Sequence, residues 1–327
     1  MTMTGTDPLP AAVAPASRRW RDLALLGLLF ALVLAGLAGL AAATGWQATM
    51  AQLSRLTLLQ ILALLGLSLV NYGLRGLRWH LFARRLGLPT SLARNLTHFL
   101  AGFAMAVTPG RVGELVRMRW LRRETGWRFA RTAPLVLVDR ASDLAAMAVL
   151  MGLGLAFSAG TRAGIPVAAL ALILAVAATR PQILHATASL GYRLTGRFAR
   201  LFARLRSAAR SLARFTAPAV LLAAGGLGLI GWAAEGYAFH LLLTWMGTDI
   251  GLAKAIAIFT FATLAGGLTG APGGVGGAEA AMLALLALEG VPLDTALPAT
   301  ALIRVTTLWF ALLIGILAFP LAERSPR

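Results

Sequence analysis

The sequence predicts an all-α, polytopic helical membrane protein, and three observations carry that prediction. Of 327 residues, 58% are hydrophobic and only 13% are charged, where a soluble domain carries about 25% charged residues. Mean hydropathy is +0.77. Runs such as 23–43 and 220–243 are long enough to cross a hydrocarbon core of roughly 30 Å. Finally, one motif is written twice inside apolar surroundings, as TPGRVGE at 108–114 and APGGVGGAE at 271–279. Each copy combines a Pro-Gly break, a further glycine and a glutamate. In lipid an irregular backbone and a carboxylate are both costly, and they persist only where protein or a water-filled cavity takes them up.

The elements follow in order. Residues 1–17 are small, polar and rich in Pro and Ala, the composition of a disordered tail. Arg18, Arg19 and Arg21 precede the apolar run 22–44, which exceeds a signal-peptide core and reads as an uncleaved first helix. It opens a single transmembrane domain over 18–327. Further full spans are expected at 55–82, 133–157, 164–179, 217–245 and 296–320, six with the first. Two more apolar stretches, 95–108 and 254–270, sit just before the two motifs. Each is expected to enter the bilayer, break at Pro109 or Pro272, and return as a second short helix. That makes two re-entrant, broken-helix hairpins.

Charge placement tests the arrangement. Thirty Lys and Arg stand against twelve Asp and Glu, a net charge of +18. With the N-terminus cytoplasmic, Arg84, Arg85 and Arg94 fall inside. So do Arg117, Arg119, Arg122, Arg123, Arg128 and Arg131, provided that 95–123 enters and returns. The C-terminus is then also cytoplasmic, and the outer loops keep few basic residues, as the positive-inside rule requires. Residues 183–215 form a basic amphipathic connector: Leu190, Leu194, Phe198, Leu201, Leu205, Leu212 and Phe215 recur at helical spacing while Arg193, Arg197, Arg200, Arg204 and Arg210 lie off that stripe. It reads as an interfacial helix on anionic lipid, as a cytosolic link between two halves, or as both.

The motif belongs to a longer repeat, 55–179 against 217–320. RGLRWHL from Arg75 aligns with EGYAFHL from Glu235 at an offset of 160, which also pairs His80 with His240 and Phe99 with Phe259. The offset drifts to 163 at Pro109 and Pro272 and to 164 at Arg140 and Arg304. Three spans lie between corresponding starts, so the second copy is expected to be inverted. Inverted repeats are frequent in secondary transporters, whose sites lie where the repeats meet.

Candidate site residues cluster on these features. Gly273, Gly274 and Gly276 permit turns that side chains would block. The helix after them offers free N–H groups to an anion, or the glycines merely allow close packing. Glu279 and Glu114 either cap their own helices or handle a proton or ligand. Gly113 precedes Glu114 in the first copy. Arg111, found only in that copy, suits bidentate phosphate binding or an ion pair with Glu114. Arg140 has Asp143 three residues on, which points to a local ion pair. Arg304 has no acid within a turn, so it must meet a distant acid, backbone carbonyls or an anionic ligand. Glu235 is equally isolated, and Arg75 or Arg304 could serve it as an inter-helix partner.

The same reading sets what is not expected. Cysteine is absent, which removes disulfides and Cys-metal sites. The four histidines lack metal-ligand spacing, no Ser-His-Asp set stands out, no P-loop is present, and no basic module outside the membrane segments suits nucleic acid. No cofactor, metal or enzymatic activity is expected.

RGLRWHLFARRLG, PGRVGELVRMRWL, LVDRASD, Glu235, PGGVGGAE and ALIRVTTLW occur in an order and spacing that resembles the lysylphosphatidylglycerol synthase transmembrane region, also called the flippase-like family. That family includes stand-alone members, some of them hopanoid-associated. The resemblance runs from about 55 to 320. It implies lipid translocation or lipid handling, with Arg111, Gly113, Glu114, Arg140, Glu235, Gly273, Gly274, Gly276, Glu279 and Arg304 at the family's recurrent positions. Fused members continue into an aminoacyl-transferase domain, whereas this sequence ends seven residues after Pro320, so lysyl transfer is not expected. The expectation is a flippase-like protein of the inner (cytoplasmic) membrane that moves or handles an anionic or isoprenoid-type lipid. Its partners would be membrane lipids with anionic headgroups and proteins of lipid biosynthesis. The alternatives are a membrane-embedded lipid-modifying enzyme and an accessory subunit of a lipid-synthesis complex.

Overall fold

A computed structural model describes residues 56–106, 115–158 and 213–324, with isolated positions elsewhere. All regular structure among the described residues is helical. The expected first span 22–44, the span 164–179 and nearly all of the connector 183–215 lie outside them.

Helix α1, Leu58–Leu86, starts at a capping box. Gln60 N–H donates to the Thr57 hydroxyl at 3.3 Å, and Thr57 N–H donates to Gln60 Oε1 at 2.8 Å. It ends at Gly87, whose φ of 86° is open to glycine but strained for other residues. Helix α2, Leu92–Ala101, is capped by Ser91 and passes into a 3-10 turn at Gly102–Met105. Together they are about 20 Å long, short of a bilayer core. Helix α3 is Val116–Thr125 and α4 is Phe129–Ser158.

In the second half, α5 spans Pro218–Trp245, with proline in its first turn where no donor is needed. Helix α6 is Leu252–Leu268; after a 3-10 turn at Pro272–Gly274, α7 runs Gly277–Leu288. The final segment is α8, Leu293–Arg304, a π turn at Val305–Trp309, and α9, Phe310–Glu323. The continuous stretches 58–86, 218–245 and 293–323 are each long and apolar enough to cross a membrane. The expected spans 55–82, 217–245 and 296–320 correspond to these three stretches, and the expected span 133–157 falls within α4.

Packing repeats itself between the halves. α1 lies along α5, while α2 packs on α9 and α6 packs on α4, so each short helix is held by the other half. Equivalent contacts recur at the offset of 160. A methyl group on Gly76 would meet Leu96, and one on Gly236 would meet Ile256. Trp79 and Phe99 have ring centroids 6.3 Å apart, as do Phe239 and Phe259. Gly247 ends α5 at φ 85°, matching Gly87. The apolar core accordingly forms two large clusters. One is centred on Trp79, Phe82, Phe99 and Leu121, the other on Phe239, Leu242, Ile258 and Leu286.

Arg117, counted among the basic residues on the cytoplasmic side, is buried, 2% exposed. Its guanidinium lies 4.4 Å from the Phe99 ring centroid and 5.4 Å from that of Trp79. Charge counting treats all arginines of a loop alike. Here the helical phase of α3 turns Arg119, Arg122 and Arg123 outward and Arg117 inward, where aromatic faces offset part of the desolvation cost.

Candidate functional site

Where α1, α5, α6 and the α8–π–α9 segment meet, they leave a cavity of about 60 Å³, room for a few water molecules. Its polar wall is Tyr72, Arg75, Glu235, Thr263, Arg304 and Thr307, and its apolar wall includes Phe103, Trp232 and Phe259. Both halves of the chain contribute.

The first-half wall rests on a buried charge network. Arg75 Nη2 donates to Asp143 Oδ2 at 2.9 Å. Arg78 Nη2 donates to Asp143 Oδ1 at 2.6 Å and to Asp139 Oδ1 at 2.7 Å. Trp232 Nε1 on α5 also donates to Asp143 Oδ1, at 3.1 Å. Arg78 is fully buried, Asp139 is 1% exposed and Asp143 5%. One turn of α1 (Arg75, Arg78) therefore meets one turn of α4 (Asp139, Asp143). The arginines alternate with the carboxylates, so each buried charge has an opposite neighbour. Arg75 also stacks over the Trp232 ring at 4.8 Å, the second contact that a planar guanidinium permits.

The second-half wall is built on the Pro272 break. Gly273 takes φ 63°, Gly274 69° and Gly276 84°, a run of left-handed positions that only glycine holds cheaply. A Cβ on Gly274 would sit 2.9 Å from backbone carbon of Gly266, so the loop presses directly on α6. Gly276 N–H donates to Glu279 Oε2 at 2.7 Å, which starts α7. The other oxygen of Glu279 accepts from Arg304 Nε at 2.6 Å, and Arg304 Nη2 donates to the Gly273 carbonyl at 2.9 Å. Arg304 thus meets both a distant acid and a backbone carbonyl. Beside it, Tyr72 of α1 donates its hydroxyl to the Thr307 carbonyl. That acceptor lies in the π turn, where the regular helical hydrogen bonding is interrupted.

Glu235 stands between the two walls, 4% exposed. Its charge interacts with those of Arg75 and Arg304. Neither is a direct ion-pair partner, because Arg75 takes Asp143 and Arg304 takes Glu279. Among the described residues Glu235 forms no direct ion pair. The site therefore presents two arginines already matched by carboxylates and a third carboxylate between them. Such a set can hold an anion only by rearranging, and Glu235 can hold a cation or a proton without rearranging.

The structure brings Glu235 and Arg304 to the cavity, with Gly273, Gly274, Gly276 and Glu279 directly behind Arg304. Arg140 lies apart, with Nη2 at 3.1 Å from Asp139 Oδ2 and 3.5 Å from Asp143 Oδ2, on the outer side of the same network. Arg111, Gly113 and Glu114 fall outside the described residues. Sequence reasoning treats Arg75 and Asp143 only as partners for other groups, and it does not single out Arg78, Tyr72 or Trp232. A signal was present: Arg75 and Arg78 are three apart and Asp139 and Asp143 four apart, so each pair shares a helix face in an apolar span. Among the described residues no three His, Asp or Glu side chains converge as a metal site.

The family model described as "Lysylphosphatidylglycerol synthase TM region" matches residues 24–315. No curated protein matches the chain significantly.

Proposed function

The chain belongs to the lysylphosphatidylglycerol synthase transmembrane-region family, and from that premise we propose that it carries an anionic or isoprenoid-type lipid between the leaflets of the inner membrane. Membrane residence and a lipid-related role follow from the family and the apolar helices. The carrying observation for transport is the cavity, because it lies between two halves with recurring contacts and is lined by Arg75, Glu235 and Arg304.

In this reading the two halves are an inverted repeat. The α2–α3 and α6–α7 pairs are re-entrant hairpins from opposite faces, with both termini cytoplasmic. The headgroup passes through the cavity while the acyl chains stay in lipid. Arg75 and Arg304 attract a phosphate, and Glu235 sets the charge balance and can take a proton. Arg111, Gly113 and Glu114 of the first motif, with Arg140, are assigned to the same headgroup path. No nucleotide is invoked, so transport is passive or proton-coupled, and the polypeptide acts without chemical turnover. Proteins of lipid biosynthesis are its natural neighbours.

Reconstitution into liposomes with fluorescent phospholipids tests the proposal. Wild type is expected to move a labelled anionic lipid across the bilayer. Arg304→Ala and Glu235→Gln are each expected to slow it by about tenfold or more, the kinetic equivalent of one lost charged contact. Equal rates for all three proteins, zero included, would refute it.

A further inference from the structure

Arg304 both lines the cavity and fastens the Pro272 break. Its Nε holds Glu279 at 2.6 Å, its Nη2 holds the Gly273 carbonyl at 2.9 Å, and Glu279 in turn accepts the Gly276 N–H at 2.7 Å. A guanidinium and a backbone N–H converging on two oxygens are the elements of an oxyanion receptor. Here the receptor is filled from within by a carboxylate whose side chain is 14% exposed. The cavity beside it is small, about 60 Å³, so moving a wall would widen the space open to a headgroup.

Taking the cavity as the headgroup site proposed above, we infer that Glu279 is a resident stand-in for the ligand's phosphate. A phosphodiester that enters the cavity takes over Arg304. Glu279 then lets go of α8, the Gly273 carbonyl loses its donor, and the 272–276 loop is free to withdraw and enlarge the cavity. Anion recognition and opening of the second break become one event. The exchange also explains why an arginine at a proposed anion site is already neutralised: an open cationic pocket in lipid is costly, and an internal carboxylate removes that cost until the ligand arrives.

The consequence is specific. Neutralising Glu279 removes the internal competitor, so it strengthens anionic-lipid binding, whereas a purely structural Glu279 would weaken binding when removed. The protein is placed in nanodiscs of phosphatidylcholine, with or without phosphatidylglycerol, and carries a single cysteine at Ala271, half-buried beside the break in an otherwise cysteine-free chain. In the wild-type background, phosphatidylglycerol is expected to raise the thiol-labelling rate. Glu279→Gln is expected to label fast without it and to bind it about tenfold more tightly, which corresponds to about 1.4 kcal/mol of lost internal competition. Arg304→Ala is expected to label fast and to lose the lipid response. Glu279→Asp, which keeps the charge but falls short of Arg304, gives a second route if Glu279→Gln fails to fold; its binding is expected to tighten by a smaller factor. Inorganic phosphate in phosphatidylcholine discs separates the sources: a response equal to that of the lipid assigns the anion to solution and overturns the lipid assignment. Binding of phosphatidylglycerol to wild type with no tightening in either Glu279 variant overturns the exchange alone. Absence of binding in every form overturns the headgroup reading of the cavity as well.

Discussion

Asp143 is the acceptor that joins α1, α4 and α5, and replacing it with asparagine tests the buried network. It accepts from Arg75 at 2.9 Å, Arg78 at 2.6 Å and Trp232 at 3.1 Å. Arg78 retains a carboxylate when Asp143 is neutralised, because Asp139 lies 2.7 Å away. Arg75 retains no direct ion pair: among the described residues its pair is with Asp143 alone. Asp143→Asn therefore removes the direct ion pair of Arg75, which is 5% exposed and keeps Glu235 as its nearby opposite charge. Breaking a buried pair from one side costs about 3–5 kcal/mol. Asparagine keeps an oxygen for Arg78 and Trp232, which places the expected loss near 3 kcal/mol. Removing the unpaired cation should recover part of it, so Asp143→Asn combined with Arg75→Met is expected to be less destabilised than the sum of the single changes by at least about 1 kcal/mol. Denaturant titration in mixed micelles, following tryptophan fluorescence, measures all four corners of the cycle. A loss below about 0.5 kcal/mol for Asp143→Asn, or strict additivity, would refute the claim that opposing charges hold α1, α4 and α5 together.

Two further outcomes follow from packing and topology. A methyl group on Gly154 would lie 2.5 Å from the Ala253 carbonyl oxygen, and one on Gly315 would lie 2.2 Å from the Ala104 nitrogen; Gly73 has nothing within 4 Å. Backbone cannot give way as a side-chain tip can, so Gly154→Ala and Gly315→Ala are each expected to lose about 3 kcal/mol in the same titration. Gly73→Ala should gain about 0.5–1 kcal/mol, and similar values for all three would contradict the reciprocal helix contacts. Single cysteines at Arg122 and Gly290, both exposed, are expected to react with impermeant reagents from opposite sides of the membrane, and labelling from one side ends the inverted-repeat arrangement. Position 120, although close by, would be silent because Trp120 is fully buried.

Much of the helical framework is legible in the sequence because lipid leaves few alternatives. Apolar length marks the long helices, and Gly87, Gly126 and Gly247 mark where helices stop. The break at Pro272 was legible for the same reason, since a Pro-Gly pair in an apolar run cannot continue a helix. The π turn at Val305–Trp309 gave no such mark: it contains neither proline nor glycine, and it lies where Tyr72 reaches in to the Thr307 carbonyl. The site was legible as a list of costly residues but not as a set of partners. Arg304 and Glu279 are 25 positions apart in sequence and Arg75 and Asp143 are 68 apart, so no local spacing joins them.

The sequence by itself determined the class of the molecule, the doubled Pro-Gly motif and the family, because each depends on composition or on short-range order. It also determined that Arg304 and Glu235 needed explaining, since a charge in lipid is expensive wherever it sits. Tertiary structure alone decided how that expense is met. Arg304 is matched by Glu279 and the Gly273 carbonyl, Arg75 by Asp143, and Glu235 is left between two arginines that both point elsewhere. The physical reason is that ion pairing depends on distance through space. Once α1 packs on α4 and α8 folds back along α7, residues remote in sequence come within 3 Å.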